Sequence, residues 1–135
     1  MISANKRRVA ALIFRGFDIL PEQIEEMLGV RASEVGRRGD HVKPGVKAVL
    51  NRSFARFSVE LDSTSRLDQA IPALLQHAGG IEAVVKVRDA VEPEFFEIGI
   101  TWPVKFSEEQ EGGFLSVAVI SDLARLRCNL TFGFI

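Results

Sequence analysis

The uninterrupted apolar run at residues 9–14, VAALIF, constrains the fold of this chain more than any other feature. A strand with one face in water alternates apolar and polar residues, whereas this run offers apolar side chains to both faces. It is too short to span a membrane or to form the core of a signal peptide. The run therefore predicts a central strand that is covered on both sides.

Three later segments alternate in the manner of half-buried strands. In residues 53–61 the inward set is Ala55, Phe57, Val59 and Leu61, and the outward set is Phe54, Arg56, Ser58 and Glu60. In the second segment the inward set is Phe96, Ile98, Ile100 and Trp102, and in the third segment it is Cys128, Leu130, Phe132 and Phe134. Pro103 closes the first of these two strands, and the second runs to the last residues, so it is expected to be held in the sheet.

The first helix is predicted at residues 20–29. Pro21 suits a first helical turn, Asp18 can cap the start, and Gly29 supplies the stop. The apolar positions Ile24, Met27 and Leu28 share one helical face, which we expect to be buried.

Further helical patterns follow the second and third strands. In the first, which Asp62 and its neighbours can cap, the inward residues are Leu67, Ile71, Leu74, Leu75 and Ala78, and Gly79 and Gly80 end it. Pro72 should kink or split that helix. Residues 81–89 fit a helix or a strand, and we favour the helix. A last helix, capped near Ser116, should bury Val119, Ile120, Leu123 and Leu126.

Helices that alternate with strands over 135 residues predict a single α+β domain spanning residues 1–135. We expect helices packed on a mainly antiparallel sheet, in a ferredoxin-like arrangement or an elaboration of it. The single cysteine excludes an internal disulfide, which is typical of a reducing compartment, and the cytoplasm is the expected location.

Few residues point to catalysis. The only imidazoles are those of His41 and His77, and the second of these ends a predicted helix, where it would cap carbonyl groups. Cys128 faces inward and should be an inert thiol. Metal-ligand spacings and phosphate-binding loops are absent from the sequence, so we expect no catalytic residue, no metal and no cofactor.

Charge is unevenly distributed along the chain, although the formal net charge is only −1. Residues 31–56 hold seven basic residues against two acids, and residues 92–111 hold six acids against one lysine. The simplest interpretation is two solvated faces that partly neutralise each other. The alternative is a binding site, for which the candidate residues are Arg37, Arg38, Asp40, His41 and Lys43.

Such a site would take an acidic protein partner or an anionic small ligand. The net charge and the lack of an RNA-binding signature argue against nucleic acid, and no segment suggests a membrane partner. Phe54 or Phe95, on outward strand faces, could seed a homodimer.

One family resemblance covers nearly the whole chain. Residues 17–24, FDILPEQI, are followed by MLGV at residues 27–30 and RRGD at residues 37–40, and residues 113–134 supply a glycine-led helix and a strand. This pattern resembles the uncharacterised bacterial family named domain of unknown function 4279. The chain departs from the family at Phe57, where we would expect a tryptophan. The resemblance implies a small bacterial cytoplasmic α+β domain and no particular activity.

Three functions remain open at this point. The first is a non-catalytic binding or protein-interaction module that acts through residues 37–47 or a sheet face. The second is a regulatory domain that binds a small anionic ligand. The third, which we rank last, is an enzyme that uses His41 with Asp40 or Glu34.

Overall fold

The computed structural model describes residues 7–104, 109 and 112–135 of the chain. Its strands are β1 (Arg8–Arg15), β2 (Glu34–Gly36), β3 (Phe54–Leu61), β4 (Phe95–Trp102) and β5 (Asn129–Phe134). Its helices are α1 (Pro21–Leu28), α2 (Ala70–His77), α3 (Ile81–Val91) and α4 (Val117–Leu126), and a 3-10 turn, Leu67–Gln69, precedes α2. Among the described residues, no helix is long and apolar enough to cross a membrane.

The strands form one sheet in the order β2-β3-β1-β4-β5. All neighbours run antiparallel except β4 and β5, which are parallel. The predicted class, α+β with helices on a mainly antiparallel sheet, is confirmed. The succession from β1 to β4 is that of a ferredoxin-like βαββαβ unit, except that two helices, α2 and α3, separate β3 from β4, and α4 and β5 follow. The ferredoxin-like assignment itself stays a prediction.

One face of the sheet carries the hydrophobic core. The register places Leu12 between Phe57 and Ile98, and all three side chains are fully buried. Helical residues such as Ile24 and Leu74 belong to the same core cluster, so the helices pack on this face. Burying a large apolar side chain contributes about 1.5–3 kcal/mol, and such contacts hold the two layers together.

The opposite face, which we call the open face, corrects one expectation. The predicted central strand is confirmed as β1, but its cover on the second side is incomplete. Ala11 is buried there, whereas Val9 and Ile13 are only half-buried and Arg15 is exposed. The apolar run reflects the central position of β1 more than a second helical layer.

Helix α1 begins and ends where predicted, but two details differ. Pro21 is its first residue, and Gly29 ends it with φ 71°. The prediction that Asp18 caps this helix is wrong. The side-chain oxygen of Gln23 instead accepts a hydrogen bond from the Leu20 amide at 2.8 Å. Met27, expected inside, is 46% exposed. Eight residues of helix leave room for only a narrow buried stripe.

The helical segment around Pro72 is divided, as expected. The 3-10 turn ends at Gln69 and α2 begins at Ala70, so Pro72 lies in the first turn of α2, where its missing N–H is not needed. Asp62 does not cap this helix, because its carboxylate accepts bonds from Thr64 and Ser65 within a local turn. Residues 81–89 are helical, within α3, as we favoured.

Helix α4 is capped by Ser116, whose hydroxyl oxygen accepts a hydrogen bond from the Val119 amide at 3.2 Å. Ile120 was expected inside but is 55% exposed, because α4 buries only a stripe that includes Val119 and Leu126. The sequence of residues 107–113 predicts a polar link before this helix, and most of these residues lie outside the described ones.

Residues 37–53 form the basic loop, which connects β2 to β3. It folds back on itself through an isolated β-bridge between His41 and Val49. Between these two residues, the carbonyl oxygen of Lys43 accepts a hydrogen bond from the Val46 amide at 3.1 Å. Pro44 and Gly45, with φ 80° at Gly45, occupy the central positions of this tight turn. The sequence of residues 46–50 suits a short strand, but the structure has only the isolated bridge at Val49 there, and the regular strand of this region is β2, earlier in the chain.

Candidate functional site

The open face and the basic loop together enclose a groove of about 370 Å³. We call it the arginine groove, and its lining consists of Ile13, Arg15, Glu34, Leu50, Asn51, Arg52, Phe54 and Arg56. Its walls come from three adjacent strands and from the end of the basic loop. A groove of this size is within the range of small-ligand sites, about 300–1,000 Å³.

Arg56 lies at the centre of this arrangement. On β3 it is opposite Ile13 of β1 and Glu34 of β2, so all three side chains project from the open face. Arg56 is half-buried, and no carboxylate forms an ion pair with it among the residues that the structure describes. A guanidinium in this position offers several N–H donors to an incoming anion.

The other two arginines of the groove are partly neutralised by the acidic segment. Arg52 forms an ion pair with Glu94 at 3.0 Å, and Arg15 approaches Glu97 at 4.0 Å. These contacts agree with the simplest interpretation of the charge distribution, in which the two charged segments partly compensate each other. Because such exposed pairs contribute only about 0–1 kcal/mol, a stronger anion could displace them.

Phe95 and Phe54, the residues suggested as seeds of a homodimer, both belong to this region. Phe95 is 44% exposed, and the guanidinium of Arg52 lies over its ring at 5.1 Å from the centroid. Phe54 is half-buried in the groove lining. Both therefore have intramolecular roles, and a dimer through either of them stays a prediction.

Gly36 of β2 gives the groove its apolar floor. A Cβ at this position would lie 2.3 Å from Cε1 of Phe54 and 2.6 Å from Cδ1 of Leu50. The glycine thus lets both side chains close over β2, which brings the end of the basic loop against the sheet. The groove combines this apolar floor with a cationic rim.

The residues predicted as the site do not line the groove. Arg37 donates to Glu22 at 3.1 Å, and its own amide donates to the Asp40 carboxylate at 3.2 Å. A backbone hydrogen bond first, and then the bond from Arg37, lower the pKa of Glu22 below its ordinary value. The Arg38 amide donates to the hydroxyl of Ser53 at 3.0 Å. Arg37, Asp40 and Ser53 therefore act in part as local supports of the basic loop.

His41 and Lys43 are exposed on the outer part of the basic loop. In the part of the chain that the structure describes, neither side chain forms a hydrogen bond or an ion pair, and the Asp40 carboxylate is engaged with Arg37. General-base catalysis needs an imidazole that is oriented and within reach of a substrate. In the described part of the chain His41 has no such orienting partner, and an enzyme that uses His41 stays the prediction that we rank last.

The groove residues were only partly accessible to sequence reasoning. Arg52 and Arg56 lie inside the predicted basic segment, and the alternation of residues 53–61 already placed Arg56 on the outward face. For Arg15, the sequence indicated only a charged residue at the end of an apolar strand. The missing information was which strands become neighbours.

A larger concavity of about 500 Å³ lies at the ends of α3 and α4, but its central cation is already engaged. The Arg88 guanidinium donates to the carbonyl oxygens of Arg125 and Leu126 and pairs with Asp89. Glu92 and Arg127, which also line this concavity, end their helices with φ 50° and φ 53°. Arg88 therefore holds α3 against the end of α4, and we regard this concavity as structural.

Cys128 is half-buried, and burial raises the pKa of its thiol to about 11. The thiolate is the nucleophile, so the folded protein holds this group in its unreactive form at neutral pH. Among the described residues, no group of three or more His, Cys, Asp or Glu side chains could hold a metal ion.

We expect iodoacetamide at about pH 8 to label Cys128 at least ~10-fold more slowly in the folded protein than in urea. The rise in pKa lowers the thiolate fraction about 100-fold. A more basic thiolate is also more nucleophilic, which raises the labelling rate again by about tenfold. The pKa is raised on folding, so this group stabilises the fold below about pH 9, and that contribution is lost as the pH approaches 11. Equal labelling rates, followed by mass spectrometry, would contradict the burial of this thiol.

Comparisons of the chain with models of protein families, with curated proteins and with solved structures give no match. The resemblance to domain of unknown function 4279 therefore stays a prediction.

Proposed function

We propose that the protein is a non-catalytic binding module that takes an acidic segment of a protein partner at the arginine groove. The observation that carries this proposal is Arg56, a half-buried residue that forms no ion pair in the described part of the chain and lines the groove with Arg15 and Arg52. A carboxylate can accept two parallel hydrogen bonds from one guanidinium, so an unpaired arginine in a groove suits an acidic group.

The surroundings of the groove favour an extended partner over a compact one. The groove is open to solvent along the sheet, and the basic loop beside it exposes Arg38, Lys43 and Lys47. An acidic segment could place one carboxylate against Arg56 and further acids along the loop, where cations on the rim accelerate association. The loop residues that were predicted as the site would then still contact the partner, although they lie outside the groove.

A small anionic ligand is the second candidate. It is supported by the apolar floor that Ile13, Leu50 and Phe54 provide, which suits a ligand with an anionic group on an apolar body. Either occupant would use the same carboxylate or phosphate chemistry at Arg56. We also propose the cytoplasm as the location, on the basis of the single cysteine.

The test is a titration with two probes at low salt. A fluorescein-labelled octaglutamate peptide represents the acidic segment, and citrate represents the small anion. We expect the Arg56→Gln variant to bind the peptide about tenfold more weakly, because a charge-assisted hydrogen bond contributes about 1.5–3 kcal/mol. Fluorescence anisotropy measures the peptide, and calorimetry measures citrate.

Arg31→Gln is the matched control, since Arg31 is an exposed cation of the same basic segment that does not line the groove. Its peptide affinity should stay within about twofold of the parent protein, because a single exposed charge contributes about 0–1 kcal/mol. Equal losses in the two variants, or no binding of either probe, would refute the proposed site. Citrate binding that depends on Arg56, without peptide binding, would favour the second candidate.

A further inference from the structure

The two edges of the sheet differ in how well they are protected against pairing with another strand. Edge strand β2 is three residues long and carries Glu34, and short, charged edges resist pairing. Edge strand β5 is six residues long, with the sequence NLTFGF. It contains no charged residue and no proline, and none of the described residues pairs with its outer side. In the described part of the chain, the backbone groups on that side have no strand partner and can accept one.

Exposed apolar side chains accompany this open edge. The register aligns Phe132 with Ile100 and Phe134 with Trp102, so both rings lie on the face that the helices cover elsewhere. They are nevertheless 41% and 54% exposed, and their rings stack on each other with centroids 5.2 Å apart. Ile135, which follows, is 47% exposed.

Helix α4 adds to the same side of the molecule. In the helical layer α1 contacts β2 and β3, and α3 contacts both α1 and α4, so α4 lies toward the β5 edge. Val117 and Ile120 are three residues apart on α4, share one face, and are 84% and 55% exposed. We call the exposed apolar residues of α4 and β5 together the β5 surface.

The size of the β5 surface is close to what a stable interface needs. Its five exposed apolar residues offer on the order of 500 Å², and the strand backbone adds to this, against about 800 Å² per partner in a standard interface. Isolated exposed apolar residues are ordinary, but stacked exposed rings on an unprotected edge strand are typical of an interaction site.

We propose that the β5 surface binds a second copy of this chain, with β5 pairing antiparallel with its own copy about a two-fold axis. Such a pair satisfies both open edges at once and makes one continuous sheet of ten strands. The copy is the favoured occupant because β5 carries no charge that would repel itself, and because the two α4 helices would then flank the seam and cover the exposed rings. This interface lies at the edge opposite β2 and does not depend on the arginine groove.

The test is the oligomeric state, measured by light scattering after size exclusion and by sedimentation equilibrium. We expect the parent protein to be a dimer at micromolar concentrations. Thr131→Lys should be a monomer there, with at least a tenfold rise in the dissociation constant, because a lysine on an edge strand blocks pairing. Thr131 is exposed on the open face of β5, so the lysine should leave the fold intact, which far-UV circular dichroism checks.

Thr101→Lys is the matched control, since Thr101 is exposed on the same face of β4, one strand inside the edge. It should remain a dimer. Phe134→Lys supplies a second disruptive variant, which removes an exposed ring and should also give a monomer. A parent protein that stays monomeric at millimolar concentration overturns the proposal, as does a dimer that persists in both disruptive variants. Binding of an unrelated extended peptide to a monomeric parent would overturn it as well.

Discussion

Replacing Phe14 by alanine should lower the free energy of unfolding by about 3–5 kcal/mol, which is a large part of the stability of a domain of this size. Phe14 lies on the central strand, is fully buried, and contacts both neighbouring strands through aromatic rings. Its ring meets Phe57 edge-on at 6.1 Å and Phe96 at 4.9 Å between centroids. Alanine would leave a cavity that three strands share, and such a site cannot collapse easily. Urea unfolding measures the loss.

Phe95→Ala is the control for this prediction. Phe95 is the neighbour of Phe96 on β4 but lies on the open face, and it is 44% exposed. Its loss should cost about 1 kcal/mol or less, including its contact with Arg52. If the two alanine variants lost equal stability, or if Phe14→Ala cost less than about 1.5 kcal/mol, the core would not be on the face that the register indicates.

We expect the next largest effect, a loss of about 2–4 kcal/mol, from Gly16→Ala. Gly16 follows β1 with φ 80°, a conformation that costs other residues about 1–2 kcal/mol. An alanine Cβ would also lie 2.8 Å from the Cβ of Glu94. The backbone cannot move away freely, because the Gly16 amide donates to Ser53 and its carbonyl accepts from Glu94, each at 2.9 Å. Strain and overpacking should therefore add.

Gly29→Ala separates these two causes. Gly29 also has a positive φ, 71°, but a Cβ there would meet nothing within 4 Å. Gly29→Ala should therefore lower the free energy of unfolding only by the cost of the positive φ, about 1–2 kcal/mol. Thermal and urea unfolding of both variants, made side by side, give the comparison. A Gly16→Ala protein that is no less stable than Gly29→Ala would show that Glu94 moves aside at no cost.

The elements of this fold were predictable to the extent that they follow from local periodicity. Alternating residues identified β3, β4 and β5, and the stop at Gly29 and the cap at Ser116 identified helix ends. Burial was less predictable, because Met27 and Ile120 lie on apolar faces that no described element covers. Which side of a helix is buried depends on neighbours that only the tertiary structure supplies.

The candidate site, like the fold, was only partly predictable from the sequence. Charge density drew attention to Arg37, Arg38, Asp40, His41 and Lys43 because they follow one another in the chain. The arginine groove instead gathers Arg15, Arg52 and Arg56, which come from two strands and the end of the basic loop. Such a site is created by strand pairing, and the pairing of β1 with β3 has no signature within either strand alone.

The central place of β1 also has a consequence for synthesis on the ribosome. This strand is the first to emerge, yet both of its partners come much later, at residues 54–61 and 95–102. Until β4 has left the exit tunnel, the apolar run of the nascent chain cannot be enclosed in the sheet. The sheet therefore cannot assemble until residue 102 has been synthesised, and until then the apolar run stays exposed and prone to aggregation.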